Sequence, residues 1–160
     1  AQLSYRRLTG PGSRLRERRL EHRRRWLGGA LTTVQDCDLV CLAPDNGMEV
    51  NSTCPYDLKA PKYCFYSDLE PFLARAQSVV IYQHIGHHQT AESQLKQRLR
   101  QICEKQNVDV EPFALRYHSG PPRAFLILPS KAHHKLMERK VERFLSGPWG
   151  KMRHFSLIRL

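Results

Sequence analysis

Long hydrophobic runs are missing from this sequence. No stretch approaches the roughly 18–20 apolar residues that cross a bilayer, so no membrane contact is expected. There is no CxxC pair, which argues against a zinc ribbon or a thioredoxin-like site. Walker A and GxSxG motifs are absent, and no GxGxxG follows an apolar run. These absences remove the P-loop nucleotidases, the nucleophile-elbow hydrolases and a self-contained dinucleotide fold. An apolar h-region is also lacking behind the first arginines, so the start does not read as a secretory signal, and Glu17 and Glu21 speak against a transit peptide. The five cysteines leave at least one unpaired. The expected compartment is the cytoplasm, and the Asn51-Ser52-Thr53 sequon is read as chance.

What is present is enough for one domain: 160 residues, 41% hydrophobic and 26% charged. The net charge of +11 is unevenly placed. Residues 1–35 carry nine arginines against two glutamates, leaving +7, while the remaining 125 residues hold 17 basic and 13 acidic groups, leaving +4. The chain therefore divides into a basic N-terminal arm and helix (1–35) and a nearly balanced body (36–160). A basic patch of this kind attracts nucleic acid or another acidic partner, with strong salt dependence. The plainer reading is a solvated helix face. Arg18, Arg19, Arg23, Arg24 and Arg25 are the residues expected to meet phosphates.

Along the chain, Gly10-Pro11-Gly12 marks a loose lead-in over residues 1–13. A helix is expected from Arg14 to Val34, capped by Ser13, with Leu20, Leu27, Leu31 and Val34 on one side. Asp38 to Ala43 is a continuous apolar strand stopped by Pro44-Asp45-Asn46-Gly47, and Ser78 to Gln83 is a second; both suit burial on two faces of a parallel sheet. Cys37, Cys41 and Cys103 fall within expected strand or helix, where cysteine acts as a small hydrophobe. Between the strands, a short helix from Asp68 to Arg75 is capped by Ser67. The clearest helix runs from Thr90 to Gln106, with Leu95, Leu99, Ile102 and Cys103 in register. Glu111–His118 and Arg123–Leu128 form a hairpin around Ser119-Gly120-Pro121-Pro122, a helix follows over Lys131–Leu145, and Phe155–Leu160 adds an edge strand. The fold class is α/β: a Rossmann-like three-layer sheet, mostly parallel, with a C-terminal antiparallel hairpin. The element order also matches the second half of a class I methyltransferase domain.

Open parallel sheets bind ligands beyond the carboxyl ends of their strands. A right-handed crossover points the two apolar strands the same way, so Asp45 and Asn46 should emerge on one rim with Gln83 and His84. Asp45 and His84 are the candidate catalytic groups; Asn46 and Gln83, with Lys62 and Tyr63 from the loop above, are candidate ligand contacts. Asn46-Gly47 equally makes a turn, and the loop residues equally pin the loop. His84, His87 and His88 have spacing that can supply metal nitrogens, but HxxHH across a glycine loop matches no strong motif, and no metal is expected. His133-His134 reads as surface.

Asp38-Leu39-Val40-Cys41-Leu42-Ala43-Pro44-Asp45-Asn46-Gly47-Met48-Glu49 resembles the DLVFLDPDNGLE signature of an uncharacterised bacterial protein family. Lys62 to Tyr66, Gln77 to His84, Ala114 to Arg116, Arg123 to Pro129 and Phe144 to Gly150 are similar to its later blocks, so the resemblance spans about residues 24–155. It implies a Rossmann-like, methyltransferase-like fold and no particular activity. Ala43 stands where the family pattern has its first Asp, which removes one of two carboxylates. The family also has early strands with no counterpart here, so the resemblance implies that the sheet is incomplete or takes strands from a partner.

Three readings follow. The favoured one is a Rossmann-like protein that binds or processes nucleic acid through the basic arm and the polar rim. The others are a methyltransferase-like enzyme with an incomplete cofactor half, and a non-catalytic protein whose Arg-rich helix docks on an acidic partner. Whether the chain is an enzyme, and with what cofactor, stays open.

Overall fold

The computed structural model describes residues 12–87 and 89–160. Residues 1–11, most of the expected lead-in, and His88 lie outside the described residues. Helix α1 spans Ser13–Thr33 and is 21 residues long. Its cap is Gly12, in a left-handed conformation, rather than Ser13, and no side chain caps the helix. Gly28 and Gly29 do not break it: Thr32 and Thr33 donate their hydroxyls to the carbonyls of those glycines. No residue of α1 is buried; Leu27 and Leu31, with Val34 just beyond, pack half-buried on the core.

Strand β1 (Leu39–Leu42) leads to a two-strand ribbon of β2 (Gly47–Met48) and β3 (Tyr63–Cys64), then to helix α2 (Tyr66–Ala74) and strand β4 (Ser78–His84). Helix α2 starts before the expected Ser67 because Asp68, in its first turn, reaches back to accept the Phe65 N–H at 2.7 Å. Helix α3 (Ala91–Lys105) follows, capped by Thr90. Strands β5 (Phe113–Tyr117) and β6 (Arg123–Leu128), helix α4 (His134–Ser146), the single turn α5 (Pro148–Lys151) and strand β7 (Phe155–Ile158) complete the order.

The main sheet runs β1-β4-β6-β5-β7. β1 and β4 are parallel neighbours, with Val40 opposite Val79. Every other pairing in this sheet is antiparallel, which corrects the mostly parallel sheet expected from the sequence. The cause is where the hairpin docks. Its second strand, not its first, pairs with β4, because Arg123–Leu128 is apolar on both faces and β5 ends in Arg116 and Tyr117. β1, β4 and β5 consequently point one way, and β6 and β7 the other.

Side chains from the two faces of the sheet enter separate clusters. Val79, Ile81, Leu126 and Leu128 pack with Leu69 and Phe72 of α2 and Leu95, Leu99 and Ile102 of α3. Ile127 and Phe113 pack with Val141 of α4, joined by half-buried Val80, Leu115 and Leu157. Ser78, Ser130 and His133 tie the start of β4 to the start of α4: the Ser78 and Ser130 hydroxyls lie 3.2 and 3.0 Å from His133 Nδ1. His133 is thus a partly buried joint and not the surface residue its position suggested.

β1 is not buried on both faces. Val40 is 5% exposed, but Leu39 is 47% exposed and Cys41 is open to solvent. β1 ends the sheet, and the cluster under α4 takes nothing from it. Cys41 is therefore not the core hydrophobe expected of it, and Cys37, also exposed, lies outside any strand or helix.

Candidate functional site

The polar rim assembles. The Asn46 carbonyl accepts the His84 N–H at 3.3 Å and the Gln83 amide at 3.5 Å, and the Asn46 N–H donates to the Lys62 carbonyl at 2.9 Å. Lys62 Nζ lies 3.8 Å from Asp45 Oδ2. Segments some forty residues apart are so held within a few ångströms, as the crossover argument requires.

Their roles diverge. Gln83 is 7% exposed, and its amide is used internally: Oε1 accepts the Met48 N–H at 3.0 Å and Nε2 donates to the His84 carbonyl at 2.8 Å. Gly47 has φ of +98°, and a Cβ there would fall 2.6 Å from the Gln83 amide carbon. Gln83 is a brace for β2, and Gly47 is glycine to let it pass. Asn46 contributes its backbone to the same brace. Asp45 and Lys62 form an exposed pair, which contributes little to stability and leaves both within reach of a ligand. His84 is exposed at the end of β4.

A cleft of about 650 Å³ opens beside this rim, between α1 and the end of β1. Leu15, Arg18, His22 and Trp26 recur every three or four residues and form one wall. Leu42, Pro44, Leu58 and Tyr63 line it too. Trp26 is 57% exposed and Leu58 79%, so the cleft offers apolar surface beside cations. The sequence marked the arginines but not His22 or Trp26, although their i, i+4 spacing was visible.

The five named arginines separate by partner. Arg23 is internal: it pairs with Asp68, donates to the carbonyls of Ala60 and Tyr63 at 3.3 and 3.1 Å, and stacks 4.5 Å above Phe65. It pins α1 to the body, and its guanidinium is taken. Arg19 donates to the Tyr56 carbonyl at 3.2 Å. Arg25 and Arg24 pair with Glu21 on the outer surface, at 3.0 and 3.9 Å. Arg18 lines the cleft. Nearby, burial pushes the Cys64 thiol well up from its ordinary value, with the Asp68 carboxylate adding to the shift, so it is no nucleophile. Among the described residues no three histidine, cysteine or carboxylate side chains group to hold a metal, and no helix is long and apolar enough to cross a membrane.

The fold and site define a mixed α/β domain with a cationic, partly aromatic cleft at the open edge of its sheet. Comparison with protein-family models, with curated proteins and with solved structures found no match to this chain.

Proposed function

We propose that this chain binds nucleic acid, with the backbone phosphates along the cleft face of α1 and the polar rim as the working end. The observation that carries this reading is the row Leu15, Arg18, His22 and Trp26 facing a cleft of about 650 Å³. Such a wall combines phosphate contacts with a ring on which a base stacks. The +7 on residues 1–35 adds long-range attraction. Asp45, Lys62 and His84, exposed on the adjoining rim, are the groups with which the protein would act on what is bound. Exposed thiols at Cys37 and Cys41 suit a reducing compartment, and we assign the protein to the cytoplasm.

The test is a titration of labelled DNA at graded salt. Binding should weaken with a log–log slope near −0.9 per phosphate contacted on duplex, or about −0.7 on single strands. Arg18→Gln should flatten the slope by about one contact. Arg23 is unsuitable as a probe because it holds α1 in place. Absence of binding at low salt, or a slope untouched by Arg18→Gln, would refute the reading.

A second reading is favoured by strand direction. β1, β4 and β5 point one way with β6 reversed between β4 and β5, the arrangement of the second half of a class I methyltransferase sheet. The residues present do not fit the cofactor of such an enzyme. Gly47, the first glycine after β1, is approached by the Gln83 side chain, which occupies the space that a glycine opens for a cofactor. A Rossmann-like origin is therefore proposed without methyl transfer by this chain alone. Calorimetry with S-adenosylmethionine should give no heat, and a measured affinity would restore the enzyme reading.

A further inference from the structure

The sheet face under α4 is covered unevenly. Val80, Leu115 and Leu157 pack into the α4 cluster, and Phe155, opposite Tyr117, meets the Phe144 ring of α4, whereas the β4–β6 end of the same rows lies outside that cluster. Tyr82 lies opposite Phe125, and His84 opposite Arg123, which in turn lies opposite Tyr117. Opposed residues share a face, so all five stand on the α4 side. Tyr82 and Phe125 belong to neither core cluster; each is half-buried, and their rings meet edge to face with centroids 6.2 Å apart. The Arg123 guanidinium lies 4.5 Å above the Tyr117 ring. On the same face, opposite Ser78 and Val80, stand exposed Leu39 and Cys41.

Half-buried aromatic rings on a sheet face, with a guanidinium and an imidazole on one border and no carboxylate in these rows, match flat unpaired bases and their phosphates. A second copy of the chain is a poor occupant, because each carries +11. The face meets the cleft at the edge strand: Cys41 stands on it and is among the residues that line the cleft. From β1 across β4 to β6 is two strand spacings, roughly 10 Å. That is the rise of two or three stacked nucleotides at about 3.4 Å each.

We propose that Tyr82 and Phe125, bordered by His84 and Arg123, form a stacking platform for unpaired bases, which makes single-stranded nucleic acid the ligand class. This rests on the nucleic-acid reading above and narrows it, since a duplex keeps its bases inside its own stack and can engage only the arginines of α1.

The experiment is fluorescence anisotropy on the full chain with an oligothymidylate and with a duplex of equal length. The oligothymidylate should bind more tightly. Tyr82→Leu and Phe125→Leu should each weaken it on the order of tenfold and leave duplex affinity unchanged, while Tyr82→Phe retains binding. Arg18→Gln should weaken both ligands. Photocrosslinking of bromouridine-substituted oligonucleotide to the unmodified chain gives a readout that no variant's folding can obscure, and its adducts should map to Tyr82 or Phe125. Equal affinity for both ligands, or adducts confined to other residues, would overturn the platform and leave the nucleic-acid reading standing. No binding of either ligand at low salt would overturn both.

Discussion

Gly47→Ala should destabilise the fold by about 3 kcal/mol, mostly through a residue 36 positions away in sequence, and the magnitude follows from two contributions. Gly47 sits at φ +98°, where an L side chain costs about 1–2 kcal/mol. Its new Cβ would also fall 2.6 Å from Cδ and Oε1 of Gln83 and 2.8 Å from Nε2. Elsewhere a flexible side chain would swing aside. Here Gln83 is bonded to the Met48 N–H and the His84 carbonyl, and Met48 is fully buried. Displacing the amide strands a buried donor, for about 1–3 kcal/mol more. In a chain of this length the melting midpoint should drop by roughly 6–12 °C. A double-mutant cycle separates the contributions. In a Gln83→Ala background the clash is gone, so Gly47→Ala should cost only its backbone share, and the pair should fall short of additivity by about 1–2 kcal/mol. Thermal and urea melts of the four proteins measure this. Strict additivity, or a single-variant loss below about 0.5 kcal/mol, would show that Gln83 does not brace β2 and would return it to the list of ligand contacts.

Asp45→Ala and His84→Ala, both at exposed positions, should change stability by no more than about 1 kcal/mol while lowering nucleic-acid affinity or turnover; unfolding of both variants would mean that they serve the turns instead. Arg23→Gln should cost about 3 kcal/mol, because it leaves the Asp68 carboxylate, 7% exposed, without its cation; a neutral result in a urea melt would contradict the anchoring role. Native protein should release Cys37 and Cys41 quickly to a thiol reagent and Cys64 only on unfolding, and equal rates for all three would refute the burial argument. Since the folded state keeps a proton on Cys64 that the unfolded chain loses above about pH 8.5, stability should fall as pH rises beyond that value, and Cys64→Ala should remove this component.

The local elements were legible because their signals are local. Leu95, Leu99 and Ile102 repeat on one helical face, and all three are fully buried in α3. Proline and glycine punctuation set the C-terminal end of β1 and the hairpin turn. The gathering of Asp45 and Asn46 with Gln83 and His84 was also legible, because a parallel crossover admits one hand and fixes which strand ends meet.

Partner choice was not legible. The two-sided apolar character of Arg123–Leu128 selects it to dock against β4 only once there is a sheet in which both of its faces are buried, and the sequence does not display that sheet. The edge position of β1, which exposes Leu39 and Cys41, follows from the same decision about who pairs with whom. Side-chain roles turned on contacts across long separations. Arg23 meets Asp68 45 residues on, and Gln83 meets Met48 35 residues back. In the sequence both looked like groups waiting for a ligand; in the fold each satisfies the polar needs of its own chain. The sequence alone set where helices and strands form and which rim carries polar side chains. Tertiary packing decided which of those side chains are spent holding the backbone and which still face an open cleft, because a buried polar group must find its partner wherever the folded chain brings one.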